Sequence, residues 1–213
     1  MRSFLPALPI LLIAASAALA TETPPSIDRG EPPSTAAPAE IPPAAAGPVL
    51  PESPKERAEA LLETLRTTRD PVAGKAAEKA LIAVWSASGS DTVDLLMTWS
   101  SEAIGRKNLP LALDFLDQVT VMSPAFAEGW NKRATVYFLM DDYGKALADI
   151  GRALAIEPRH FGALSGLGLI FQAMDDEARA KAAYQQALEI DPFLDDVRKA
   201  LDEIEASTAG ATL

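Results

Sequence analysis

The sequence predicts an all-α protein built as a solenoid of antiparallel helix pairs, and three observations carry that prediction. Pro124, Pro158 and Pro192 fall 34 residues apart, each just after a helix-like stretch. The residue ahead of a proline is driven out of the helical region, so the three mark helix ends at a fixed interval. Between them small and large apolar residues recur at helical spacing: Trp130, Ala134 and Tyr137; Ala146, Ile150 and Ala153; Leu164, Leu167, Gly168 and Phe171; Ala180, Tyr184 and Ala187. Beyond Pro192, Leu194, Val197, Leu201 and Ile204 form one apolar stripe on an otherwise charged helix. A repeat array needs such a polar outer end.

Taken from the N-terminus, the chain opens Met1-Arg2-Ser3 and runs without charge from Phe4 to Ala20, ending Ala18-Leu19-Ala20. A positive start, an apolar stretch and a small-x-small exit make up a secretory signal peptide, so residues 1–20 are expected to be cleaved away. The stretch holds 17 residues, with Pro6 and Pro9 inside it. That is short for a membrane-spanning helix, and an uncleaved signal anchor is the alternative. The expected compartment is outside the cytosol: a periplasm first, secretion or membrane tethering otherwise. Loss of Arg2 takes the net charge from −11 to −12, which opposes nucleic-acid phosphates and anionic lipid. No nucleic-acid partner is expected, and no membrane insertion after cleavage. The absence of cysteine excludes disulfides, thiolate metal sites and a lipid-bearing thiol, so stability must come from apolar packing.

Residues 21–54 hold ten of the 17 prolines, among Ala, Thr, Ser and Glu. Proline removes backbone donors and the segment has little to bury, which predicts a disordered spacer. The folded part is expected over 55–206, with 207–213 a flexible tail.

Units of 34 residues divide this part. The unit 59–92 keeps only Leu62 and Leu65, a helix start at Asp70-Pro71, and Ala80, Leu81, Val84 and Trp85. The unit 93–126 carries Leu96, Trp99, Ser100 and Ala103, then Ala112, Leu116, Val119 and Pro124. The units 127–160 and 161–194 are complete, and a cap follows at 195–206. Trp/Leu, Leu, Gly/Ala, Tyr/Phe, Ala, Phe/Tyr, Ala and Pro at these spacings resemble the tetratricopeptide-repeat family. The resemblance implies a right-handed α-solenoid of three to four units plus a C-terminal capping helix, whose first helices line a concave groove that holds peptides or extended segments. Small residues at Ala134 and Ala146, and at Gly168 and Ala180, would let paired helices approach closely while aromatics fill the space beside them. One departure is Arg133, where the pattern has Leu. A guanidinium there must reach solvent or pair, with Asp149 or Asp114 as candidates, unless it serves a partner site.

Catalytic constellations are lacking. His160 is the only histidine, so no two-histidine metal site exists. The glycines of Gly162–Gly168 fall inside a predicted helix, where they cannot cradle phosphate. Asp141-Asp142 and Asp175-Asp176 sit in the turns between paired helices and read as caps of the second helix. No enzyme, cofactor or metal is expected.

What remains is a binding surface. Opposite the core stripe, the first helices present Asp94, Met97, Ser101 and Ile104; Glu128, Asn131, Thr135 and Phe138; and Gly162, Ser165, Leu169 and Gln172. Met97, Phe138 and Leu169 would be apolar anchors. Lys132, Arg159 and His160 form a positive cluster nearby that favours an acidic or carboxylate-bearing segment. The family's carboxylate clamp is not reproduced, since Asn131 and Lys132 are adjacent and the next unit offers no matching base. The expected function is a non-catalytic protein-interaction scaffold of the cell envelope that holds a protein or peptide partner. An accessory subunit of an envelope enzyme is the alternative, and a stand-alone hydrolase a third.

Overall fold

The computed structural model describes residues 53–210, with side chains as far as residue 206. The expected signal and nearly all of the expected spacer lie outside the described residues. Of the two units into which the chain divides, Met1–Val49 and Leu50–Leu213, the described residues belong to the second. Among the described residues there are nine α-helices and no strand: α1 Pro54–Thr67, α2 Pro71–Ser86, α3 Asp91–Gly105, α4 Leu109–Met122, α5 Ala127–Leu139, α6 Tyr143–Ile156, α7 Phe161–Ala173, α8 Glu177–Ile190 and α9 Asp195–Gly210.

Three helix pairs, α3–α4, α5–α6 and α7–α8, stack in chain order, each second helix packing on the next first helix. α5 and α7, and likewise α6 and α8, start 34 residues apart. The turn inside each pair repeats too. Lys107, Asp141 and Asp175 take left-handed backbone, with φ of 59°, 58° and 57°. The next residue, Asn108, Asp142 or Asp176, then caps the second helix by accepting from the backbone N–H of Leu111, Lys145 or Arg179. Each acidic pair thus divides its labour, the first residue making the bend and the second the cap.

The crossing within each pair is built from small residues. Ser100, Ala134 and Gly168 are buried across from Ala112, Ala146 and Ala180, themselves fully buried. At Gly168 a Cβ would overlap the Tyr184 ring. A second pair of positions on each first helix joins successive units. A Cβ on Gly129 would lie 2.7 Å from Val119 Cγ1 on α4, and Ala163, Val136 and Ile170 are buried at the equivalent sites. Val197 and Ile204 continue the series on α9 and seal the last unit. At the front the same positions are Leu95 and Glu102, both exposed. The stack therefore begins at α3. Trp99, expected on the core stripe, is 43% exposed beside Phe115.

The α1–α2 hairpin does not continue the array. Its helices begin earlier than the 34-residue register requires, and residues 73–74, where the repeated turn would fall, lie inside α2. Asp70 caps α2 with Pro71 in its first turn, as the sequence predicts. Instead of stacking on α3, the hairpin packs against α5, α7 and α8.

Candidate functional site

The first helices present a common face, α5 packing directly on α7, and α2 is laid across it. At its start Gly74 is pressed on the Phe193 ring, which leaves no room for a side chain. The Lys75 ammonium donates to the Phe193 carbonyl and pairs with Asp195 at 3.1 Å and Glu78 at 3.0 Å. Ala77 and Leu81 share an apolar cluster with Leu62 and Leu65 of α1 and with Phe161, Ile190, Phe193 and Leu194. At the far end Trp85 stacks on His160, with ring centroids 4.7 Å apart, and tilts over Phe161. From α1, Glu59 receives both terminal nitrogens of Arg159 at 2.8 Å, a bidentate clamp onto the α6–α7 connection.

α2 does not fill the face. One cavity of about 390 Å³ lies between Lys75 and Glu78 of α2, Ser165 and Leu169 of α7, and the start of α9. Another of about 500 Å³ lies between Ala83, Ser86 and Ala87, Met97 and Ser101 of α3, and Glu128 and Lys132 of α5.

Two polar groups beneath α2 carry most of the local electrostatics. Asp191 is fully buried. Its Oδ1 accepts from the Phe193 N–H at 2.9 Å, while Oδ2 has no hydrogen-bond partner. Burial, helped by the charge of Glu78, pushes its pKa up to about 6. Glu128 is also raised by burial, but His160, Asn131 and Lys132 together hold its carboxyl below the ordinary range.

The expected groove residues separate accordingly. Glu128, Asn131 and His160 form one knot: the Asn131 amide donates to Glu128 at 2.8 Å, and His160 Nε2 stands 3.2 Å from the same carboxylate oxygen. That contact has the distance of an ion pair but not the alignment of a hydrogen bond. His160 Nδ1 caps α7 by accepting from the Ala163 N–H. His160 is therefore a buried cap under Trp85, and Arg159 is committed to Glu59 and Glu157. The positive cluster expected to draw an acidic partner reduces to Lys132, which keeps no ion pair among the described residues. Met97 is 7% exposed and joins the core of Val93, Leu116 and Val136, because its long unbranched side chain folds back onto that cluster. Phe138 is half-buried in the α5–α6–α7 core, 6.0 Å from Tyr143. Gln172 accepts from the Tyr184 hydroxyl. Ser101, Thr135 and Ser165 bond to carbonyls of their own helices. Leu169, 47% exposed, stays open to solvent.

The structure brings Lys75, Glu78 and Trp85 to this face, residues the repeat pattern did not place there. Two signals bore on it: the unit 59–92 lacks the turn chemistry of its successors, and Glu102 stands where Val136 and Ile170 are later buried. Arg133 is structural. Asp149 holds it by two bonds of 2.7 and 2.8 Å, Asp117 and Thr120 at 2.9 Å, and Trp130 lies under its plane. Its second carboxylate is thus Asp117, one turn from the Asp114 considered. The Asp149 hydrogen bonds hold the guanidinium charged. Among the described residues no cluster of three or more metal-ligating side chains occurs, and no helix is long and apolar enough to cross a membrane.

Stacked 34-residue helix pairs, a polar cap and a shared first-helix face define a helical-repeat solenoid of the interaction type. Models of the tetratricopeptide repeat match residues 127–160 and 162–193. A TPR repeat-containing protein of Rhizobium etli is 42% identical over 140 residues, 66% of this chain and 69% of the relative. The chain belongs to the tetratricopeptide-repeat family. Among solved structures, the Sgt2 TPR domain from Aspergillus fumigatus has a TM-score of 0.55 at 26% identity, covering 58% of this chain and 83% of that one. The first TPR of Spaghetti (RPAP3), bound to the HSP90 peptide SRMEEVD, has a TM-score of 0.54 at 22% identity, covering 56% and 95%.

Proposed function

We propose that this chain is a non-catalytic scaffold that holds a protein or peptide partner on its first-helix face, and that it works in the cell envelope after export. The observation that carries the reading is the face itself. α3, α5 and α7 present Ser101, Glu128, Lys132, Ser165 and Leu169 around two cavities on one side of the molecule. A cavity with an apolar anchor beside polar groups suits recognition of another chain. Export rests on the composition of residues 1–20 alone. A fold neighbour that holds a peptide illustrates this use of the architecture, and its low identity carries no partner across.

Affinity capture from the native compartment, with the full chain as bait, tests the reading. Leu169→Asp combined with Lys132→Glu should release the captured partner, whereas reversing the exposed Asp202 and Glu203 on α9 should not. Equal capture by the groove variant and loss with the cap variant would place the partner on the other face. Cell fractionation with N-terminal sequencing decides the location. Export predicts a mature start at Thr21, and an unprocessed chain in the cytosol would refute it.

A further inference from the structure

We propose that the α1–α2 hairpin is a built-in occupant of the first-helix face, and that the partner engages this face as an amphipathic helix taking the place of α2. The proposal rests on the scaffold reading and supplies the partner's chemistry. An ordinary unit would stack on α3, yet this hairpin leaves Leu95 and Trp99 in solvent and lies where a ligand of the face would lie. It is joined to α3 by residues 87–90, with Gly89 at a left-handed φ of 81° and open space around it. The Ser88 N–H anchors this connection to Asp94 of α3 at 2.9 Å, and lifting the hairpin about it leaves in place the chain-order contacts of α3–α9.

The fit of α2 is incomplete in two ways. Its alanines, Ala73, Ala76, Ala77, Ala80 and Ala83, make a thin helix, and the cavities on either side of it remain unfilled. Asp191 Oδ2 is buried without a hydrogen-bond partner, and the enclosed Glu78 Oε2 has only the Lys75 ammonium, 3.0 Å away. Burial of an unbonded carboxylate oxygen opposes docking. A partner helix without these faults would displace α2. It would carry a small residue against Phe193 and cations facing Asp191 and Asp195. An aromatic eleven residues further on, about three helical turns, would fall in the place of Trp85 over His160.

The probes are two synthetic peptides of residues 71–86, one bearing Glu78→Lys and the other Glu78→Lys with Gly74→Leu, added to the full-length protein. Amide hydrogen exchange is then followed helix by helix. The first peptide should raise exchange in the protein's own α1 and α2 at least tenfold while α5–α8 stay unchanged, and the second should leave all helices as they were. Within the chain, Lys75→Glu exchanges a half-exposed side chain's pairings with Glu78 and Asp195 for like-charge repulsion, and it should raise α1–α2 exchange about tenfold with no peptide present. If α2 keeps its protection in that variant, or yields it only together with α5–α8, the hairpin is a fixed part of the fold and the proposal fails, whatever the peptides do. This measurement needs no native partner. Groove variants that still capture every partner would overturn the scaffold reading and leave the exchange result standing. Capture lost in groove variants, with α2 unmoved, would do the reverse.

Discussion

Arg133 occupies a position where the repeat pattern has leucine, and the molecule accommodates it with two carboxylates, a hydroxyl and an indole face. The desolvation of such a pair offsets much of its attraction, so losing one partner costs more than losing both. Asp149→Ala is therefore expected to destabilise by about 3 kcal/mol, while the double variant Arg133→Leu with Asp149→Leu stays within about 1 kcal/mol of wild type or gains. Urea denaturation of the two variants checks this, and the reverse order would mean that the guanidinium is not held by Asp149. Asp191 gives the opposite case, a buried carboxyl with a raised pKa. Its folded value of about 6 lies above the ordinary aspartate range. The contribution of this group is thus fullest below that ordinary range and is lost as pH rises through 6. Asp191→Asn keeps the oxygen that accepts from Phe193 and removes the charge. It should be more stable than wild type by about 1–3 kcal/mol at pH 7, with the gap narrowing towards pH 4. A gap independent of pH would show that burial does not raise the Asp191 pKa.

At the scale of elements, each helix pair is held together by the small residues at its crossing, and the period sets where they fall. Ala146 has no exposed surface, and any side chain at Gly168 would strike Tyr184. Ala146→Leu and Gly168→Leu should each destabilise by about 1–3 kcal/mol through overpacking. Thermal midpoints unchanged in both would mean that the helices do not cross there. The turn before each second helix was half legible. Asp142 and Asp176 announce themselves as caps by residue type, whereas the left-handed backbone at Lys107, Asp141 and Asp175 is set by the need to reverse the chain within three residues.

For the molecule as a whole, the ends of the array are as specific as its middle. Leu95 begins the series that Gly129, Ala163 and Val197 continue, but only the later members are buried against a preceding helix. Leu95→Lys should change stability by less than about 0.5 kcal/mol, as exposed substitutions do. Ala163→Lys would thrust a charge into a closed interface and should largely unfold the domain. Denaturation curves for the pair test where the stack begins. If Leu95→Lys were as damaging as Ala163→Lys, a unit would be packed on α3 after all.

The sequence by itself determined the helices, their pairing and their period, because proline, cap residues and small crossing residues act within one turn or one unit and are read locally. It also named the residues of the first-helix face, since a stripe at helical spacing shares one side. Which of them stay free was decided only by tertiary structure. His160 and Arg159 read as surface cations, yet one is a buried cap beneath Trp85 and the other is clamped by Glu59, a residue one hundred positions away. Met97 reads as an anchor and is core. The placement of α1–α2 was equally beyond local reading. Its apolar stripe satisfies any face that offers aromatic and aliphatic contacts, and Phe161, Phe193 and His160 form such a seat only once α5–α9 have stacked.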